Sequence, residues 1–125
     1  MKKYDLEERL INFAVLIIQF VESMPNSKAA NHLAGQLLRS GTSPALNYGE
    51  AQSTESGNDF IHKIKVVLKE LRETLVCLKI IYKAKIFTSE EKIKALLKET
   101  DELVAIFVTS TQTAKRNKLR IMNDE

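Results

Sequence analysis

Apolar residues recur every three or four positions along most of the chain, which is the spacing of one face of an α helix. The pattern predicts four helices, over residues 5–24, 27–53, 57–84 and 89–118. The connections between them are short, so sequential helices should run antiparallel. The sequence therefore predicts an all-α fold, an up-down antiparallel four-helix bundle that forms a single domain over residues 1–125.

Residues with short polar side chains mark the expected helix starts. Asp5 and Ser56 each precede an acidic residue by three positions, the arrangement of a capping box. Asn26 and Thr88 are the expected caps of the second and fourth helices. Within the second helix, Pro44 removes a backbone hydrogen bond, so we expect a kink at residues 41–44 and a helical restart after it.

The first helix is apolar over more than one face. Besides its core stripe it carries a second apolar set, which consists of Ile11, Val15, Ile18 and Val21. A helix that is apolar nearly all round is either deeply buried or packed on two sides. In so small a domain no helix is central, so we predict that this second set forms an oligomer interface. The alternative is that the first helix carries more apolar residues than its packing requires.

In the third helix, apolar positions step by three and four without a gap and predict the seam that faces the core. They are Ile61, Ile64, Leu68, Leu71, Leu75, Leu78 and Tyr82.

The composition is typical of a globular protein, with 44% apolar and 28% charged residues. Cys77 is the only cysteine, which excludes an internal disulfide and a cysteine-based zinc site and is typical of a cytoplasmic protein. The apolar stretch at residues 10–21 is shorter than the roughly 20 residues of a membrane span, so we expect no membrane or targeting segment.

Catalytic and metal-binding patterns are weak. Di-iron sites in helical bundles use Glu-x-x-His pairs, and neither His32 nor His62 has a glutamate three residues before it. Cys77 is expected to be structural, and the sequence contains no glycine-rich phosphate loop. We therefore predict no catalytic residues, no metal and no cofactor.

Positive charge is concentrated in one segment. Residues 56–85 contain seven basic and three acidic residues, whereas the whole chain has a net charge of +3. A second basic run lies near the C-terminus, and an up-down bundle would bring it to the same end as Lys2, Lys3 and the start of the third helix. The candidate nucleic-acid-binding residues are His62, Lys63, Lys65, Lys69, Arg72, Lys79, Lys83, Lys115, Arg116, Lys118 and Arg120.

Two interpretations of these cations remain open. Most of those on the third helix recur at helical spacing, as expected of a surface that follows a phosphate backbone. The alternative is a solvated helix face in which Lys69 and Glu73 form a simple ion pair one turn apart. For the C-terminal run, the attraction of cations to a helix C-terminus is the competing explanation.

Polar residues also cluster around the connection between the second and third helices. They are Arg39, Ser43, Asn47, Glu50, Asp59, Lys63, Glu70 and Glu73. A hydrogen-bonded network that sets the register of the helices is one explanation, and a ligand site is the other.

An ordered string of these residues resembles a known family signature. Residues 39–51, RSGTSPALNYGEA, are followed by Ser56, Asp59-Phe60, Lys63, Leu68-Lys69-Glu70, Glu73-Thr74 and Leu78. The string is similar to that of the 23S ribosomal RNA intervening-sequence proteins. The motif covers about residues 26–82, and length and helix pattern extend the resemblance to the whole chain. Pro44 departs from the small or β-branched residue usual there, and Cys77 from an aromatic residue.

The resemblance implies a small, non-enzymatic bacterial protein with a four-helix fold. Members of the family resemble the accessory variability determinant of diversity-generating retroelements, a basic homopentamer that partners a reverse transcriptase and nucleic acid. By this resemblance the chain is expected to form a homo-oligomer, a pentamer, and to bind RNA, DNA or a nucleic-acid-handling protein. The alternative is a structural or protein-interaction module with no nucleic-acid role.

Overall fold

The computed structural model describes residues 5–124, with the side chains up to Asn123. It contains four helices, α1 (Leu6–Glu22), α2 (Lys28–Ala51), α3 (Gly57–Lys83) and α4 (Glu90–Asp124), and no strand in the described range. Helix α2 packs against α1 and α3, and α3 packs against α4, while α1 meets α4 at few positions. The predicted all-α four-helix fold is confirmed.

Two predicted helix caps are present. The Asp5 carboxylate accepts a hydrogen bond from the backbone N–H of Glu8 at 3.0 Å. The Ser56 hydroxyl likewise accepts from the N–H of Asp59 at 3.1 Å. Each bond satisfies a backbone donor that has no partner within the helix.

The other two predicted caps are wrong by one residue. Ser27, not Asn26, caps α2, because its hydroxyl reaches the N–H of Ala30. At the start of α4 the side chain that accepts from a first-turn N–H belongs to Ser89 rather than Thr88. Helix α4 also continues to Asp124, beyond the expected residue 118. No glycine or proline follows residue 118, so nothing in the local sequence stops the helix.

Helix α2 passes through Pro44 as one element, where we expected a kink and a restart. The hydroxyl of Thr42 donates to the carbonyl of Leu38 at 2.7 Å, one turn back in the same helix. The hydroxyl of Ser43 accepts from the side-chain amide of Asn47 at 2.8 Å. Neither residue therefore caps a new helix, and none begins here.

The core seam of α3 is rotated from its predicted position. Ile64, Leu71 and Leu78 are buried as expected, but Ile61, Leu68, Leu75 and Tyr82 are only half-buried. Val67, Thr74 and Ile81 are buried as well, and they complete the row of core residues on α3. Thr74 is polar, but its hydroxyl lies 2.9 Å from both the Ser40 hydroxyl and the Glu70 carbonyl, and these hydrogen bonds offset the cost of burying it.

Candidate nucleic-acid interface

Six of the predicted basic residues form an exposed stripe on the outer face of α3, which we call the basic stripe. Its members are His62, Lys65, Lys69, Arg72, Lys79 and Lys83. From Lys65 to Lys83 it extends over 18 helical steps, or about 27 Å at the rise of an α helix. Val76 interrupts it and is itself 56% exposed. The stripe faces outward because the opposite side of α3 supplies the core.

Lys63 is not part of this stripe. Its side chain is turned toward α2, is half-buried, and forms an ion pair with Glu50. This pair joins the last turn of α2 to the second turn of α3. Lys63 therefore belongs with the polar residues between these helices rather than with the exposed cations.

The cations of the stripe have no acidic partners within residues 5–123. Lys69 does not form the ion pair with Glu73 that the alternative interpretation requires, because the Glu73 carboxylate is bound by Arg39 of α2, with Nη2 and Oε2 2.6 Å apart. Lys65, Arg72, Lys79 and Lys83 also make no ion pair in this range. The interpretation of Lys69 and Glu73 as an ion pair that stabilises α3 is therefore wrong.

The C-terminal basic run lies beside one end of the stripe. The ammonium of Lys118 donates a hydrogen bond to the side-chain oxygen of Asn58, at the start of α3. Lys115 lines the same open groove as Lys65 and Lys69. Arg116 and Arg120 are exposed on the same part of α4. Lys2 and Lys3, which we expected at this end, lie outside the described residues.

The groove also contains residues that the sequence did not indicate. His32 and Gln36 of α2 line one side of it, and Thr111 of α4 lies near Lys115. The hydroxyl of Thr111 is buried and has no hydrogen-bond partner among the described residues. These residues come from helices that are distant in sequence, so no local pattern could have assigned them to one surface.

The predicted polar network is several separate contacts. Arg39 binds Glu70 at 2.8 Å and Glu73 at 2.6 Å, while Ser43 bonds only to Asn47 within α2. The hydrogen bond to Glu73 and the charge of Glu70 raise the pKa of Arg39.

Asp59 takes part in none of these contacts. It is exposed at the start of α3, where its backbone N–H meets the cap.

No group of three His, Cys, Asp or Glu side chains that could hold a metal ion is found within the described part of the chain. Cys77 is buried, and its Sγ lies 3.6 Å from the carbonyl oxygen of Leu33. Burial raises the pKa of this thiol, which opposes its ionisation. Across residues 5–124, no helix has both the length and the apolar character to cross a membrane.

The predicted oligomer surface on α1 is largely exposed. Ile11, Val15 and Ile18 are each more than 40% exposed, although they are large apolar residues. Val21 instead is half-buried and packs against the core, so it belongs partly to the interior of the bundle. Leu38 and Leu46 of α2 are also exposed.

Comparison with known proteins points to one family. A model of the family described as 23S rRNA-intervening sequence protein matches residues 2–109. A crystal structure from Bacteroides thetaiotaomicron VPI-5482, described as a protein with unknown function from the S23 ribosomal protein family, superposes with a TM-score of 0.79. The two sequences are 26% identical, over 86% of this chain and 98% of that chain. Comparison with curated proteins finds no match.

Proposed function

The chain belongs to the 23S rRNA-intervening sequence protein family, and on that basis we propose that it is a non-catalytic, oligomeric protein that binds structured nucleic acid. The binding surface in this proposal is the basic stripe of α3 together with the C-terminal basic run of α4. The observation that carries the proposal is a row of about 27 Å in which no lysine or arginine has an acidic partner among residues 5–123. Cations left unpaired in this way attract phosphates and release their counterions.

The nature of the surface favours contact with a phosphate backbone. Within the described residues every phenylalanine and tyrosine is buried or half-buried, so none offers an exposed face on which a base could stack. Proteins that read single strands combine cations with such aromatic faces. We therefore propose that the chain contacts duplex regions of structured RNA, or DNA, with little dependence on sequence.

We also propose that the functional unit is a homo-oligomer, as the exposed apolar residues of α1 suggest, and the family resemblance favours five copies. A cytoplasmic location fits a nucleic-acid partner and a single reduced thiol. The second candidate function is a protein-interaction module with no nucleic-acid role. It is favoured by the same exposed residues Ile11, Val15 and Ile18, which would then bind a different protein.

Charge reversal separates the two candidates. A variant with Lys65→Glu, Lys69→Glu and Arg72→Glu should lose at least about tenfold in affinity for structured RNA, because each lost phosphate contact weakens binding severalfold. The logarithm of the wild-type association constant should also fall linearly with the logarithm of salt concentration. Fluorescence anisotropy with a labelled hairpin RNA, from low to moderate salt, measures both quantities.

The matched control carries Lys28→Glu, Lys92→Glu and Lys98→Glu. These three lysines are exposed, lie outside the basic stripe, and give the same change in net charge. The proposal requires this control to retain most of the affinity. Salt-independent binding, or equal losses in the two variants, would contradict a role for the stripe and favour the protein-interaction module.

A further inference from the structure

The acidic residues of α3 are placed where they could cancel the basic stripe. Glu70 and Glu73 are the only acids between Lys65 and Lys83. Glu73 follows Lys69 by four residues, so their side chains are neighbours on the surface of the helix. In an isolated helix an i,i+4 pair of opposite charge stabilises the helix by about 0.2–0.5 kcal/mol, and lysine before glutamate is the weaker of the two orders. That pair would neutralise a cation near the middle of the stripe.

Arg39 of α2 binds both of these acids. Its Nη1 lies 2.8 Å from the Oε2 of Glu70, and its Nη2 lies 2.6 Å from the Oε2 of Glu73. The two carboxylates are held by one planar guanidinium, a geometry that a lysine cannot supply. Glu70 is 7% exposed, which limits its movement, whereas the side chain of Glu73 is 38% exposed and has room to turn.

Lys69 remains exposed and makes no ion pair with any residue in the described range, although its i,i+4 partner is present. Both residues line the same groove as Arg39. The side chain that decides between the two arrangements is therefore Arg39, because its removal would leave Glu73 without its partner one turn from Lys69.

We propose that Arg39 is a positioning residue for nucleic-acid binding, which holds Glu73 toward α2 and so keeps Lys69 available to a phosphate. Arg39 acts through Glu73 and need not touch the nucleic acid itself. The proposal rests on the proposed function, since it assigns a role within that binding surface.

A double-mutant cycle between Arg39 and Lys69 tests this role. Lys69→Gln should weaken binding of a hairpin RNA about threefold to tenfold and reduce the magnitude of the salt slope by about one. Arg39→Gln should cause a smaller loss, of about twofold, because a phosphate must then displace Glu73 from an ion pair with Lys69 that is worth about 0.2–0.5 kcal/mol. The double variant should be no weaker than Lys69→Gln alone, since both substitutions act on the same phosphate contact.

A rescue variant adds a second readout. Glu73→Gln in the Arg39→Gln background removes the competing acid, so affinity and salt slope should recover and become sensitive to Lys69→Gln again. Arg9→Gln is the matched control, because Arg9 also binds two glutamates, Glu99 and Glu102, but lies away from the stripe. It removes the same charge and should leave RNA affinity nearly unchanged.

Every outcome of these measurements either supports or overturns the positioning role of Arg39. Additive losses in the double variant would mean that Arg39 contacts a phosphate directly. An Arg39→Gln variant with unchanged RNA affinity would mean that Glu73 does not pair with Lys69 even when Arg39 is absent. Either result overturns the positioning role while Lys69→Gln still supports the binding function. Absence of wild-type binding overturns both proposals. If Arg39→Gln fails to fold by circular dichroism, Arg39→Lys replaces it, since one ammonium cannot hold both carboxylates in parallel.

Discussion

Buried threonines in this protein differ in how their hydroxyl groups are satisfied. The hydroxyl of Thr100 donates to the carbonyl of Leu96 at 2.7 Å, one turn back in α4. Thr111, three turns further along the same helix, is 7% exposed, and its hydroxyl has no hydrogen-bond partner within residues 5–123. A buried hydroxyl without a hydrogen bond costs about 1–3 kcal/mol relative to one exposed to water. The unpaired hydroxyl of Thr111 therefore lowers the stability of the fold.

Thr111→Val should raise the free energy of unfolding by about 1 kcal/mol, because a methyl group replaces the unpaired hydroxyl. The helix propensities of valine and threonine are similar and should nearly cancel. Urea denaturation followed by circular dichroism measures the difference. Thr100→Val is the matched control in the same helix and should be neutral or destabilising, because it removes a formed bond. Equal effects in the two variants would contradict this account.

Individual side chains were predictable where their partners are local in sequence. Asp5 and Ser56 cap their helices as expected, since a cap involves only the next three residues. The family motif also drew attention to Arg39, Glu70 and Glu73. Which of them would pair was not predictable, because the choice between Lys69 and Arg39 for Glu73 depends on how α2 lies against α3.

At the scale of helices, α1 and α2 approach closely at Gly41. A Cβ atom built on this residue would lie 2.7 Å from Cγ1 and 2.8 Å from Cγ2 of Ile17. Ile17 is fully buried, and its β-branched side chain is restricted at χ1, so it cannot easily move aside. The absence of a side chain at residue 41 therefore sets the distance between the two helices.

Gly41→Ala should lower the free energy of unfolding by about 1–2 kcal/mol. Overpacking in a core typically costs about 1–3 kcal/mol, and the gain in helix propensity on replacing glycine returns up to about 1 kcal/mol. Gly35→Ala is the control in the same helix, because a Cβ atom there meets nothing within 4 Å. It should be stabilising in the same urea titration. A stabilising Gly41→Ala would show that the helices separate without cost.

The spacing of apolar residues predicted that the four helices exist and in what order they follow one another. It predicted less well which face of each helix is turned toward the core. The predicted seam of α3 counted only apolar residues, and the observed core line includes Thr74 because Ser40 of α2 lies beside its hydroxyl. The extent of α4 was underestimated because its regular apolar stripe ends several turns before the helix does. Both errors arise from contacts or continuations that a single-helix pattern does not contain.

At the scale of the whole subunit, apolar and basic surfaces lie on different helices. The exposed apolar residues Ile11, Val15 and Ile18 belong to α1, which packs mainly on α2. The basic stripe belongs to α3, beside the C-terminal part of α4. Association through α1 would therefore leave the stripe open, and several copies would present several stripes to one nucleic acid. Linked contacts of this kind increase apparent affinity without any new interaction.

We expect the solution mass to be a multiple of the 14.2 kDa chain mass, and fivefold if the family resemblance extends to assembly. Ile11→Glu together with Ile18→Glu should shift the mass toward that of the monomer, because each places a carboxylate in an apolar contact. Light scattering coupled to size-exclusion chromatography measures the mass. Helicity by circular dichroism should be retained, since both residues are exposed in the subunit.

Val76→Glu is the control for this experiment, because Val76 is an exposed apolar residue on the face of α3 that carries the stripe. It should leave the mass unchanged and weaken RNA binding, since it adds a negative charge among the cations. A wild-type mass of 14.2 kDa at micromolar concentration would contradict the interface on α1. A drop in mass with Val76→Glu alone would place the contact between subunits on α3, and the stripe would then be buried in the assembly rather than open to nucleic acid.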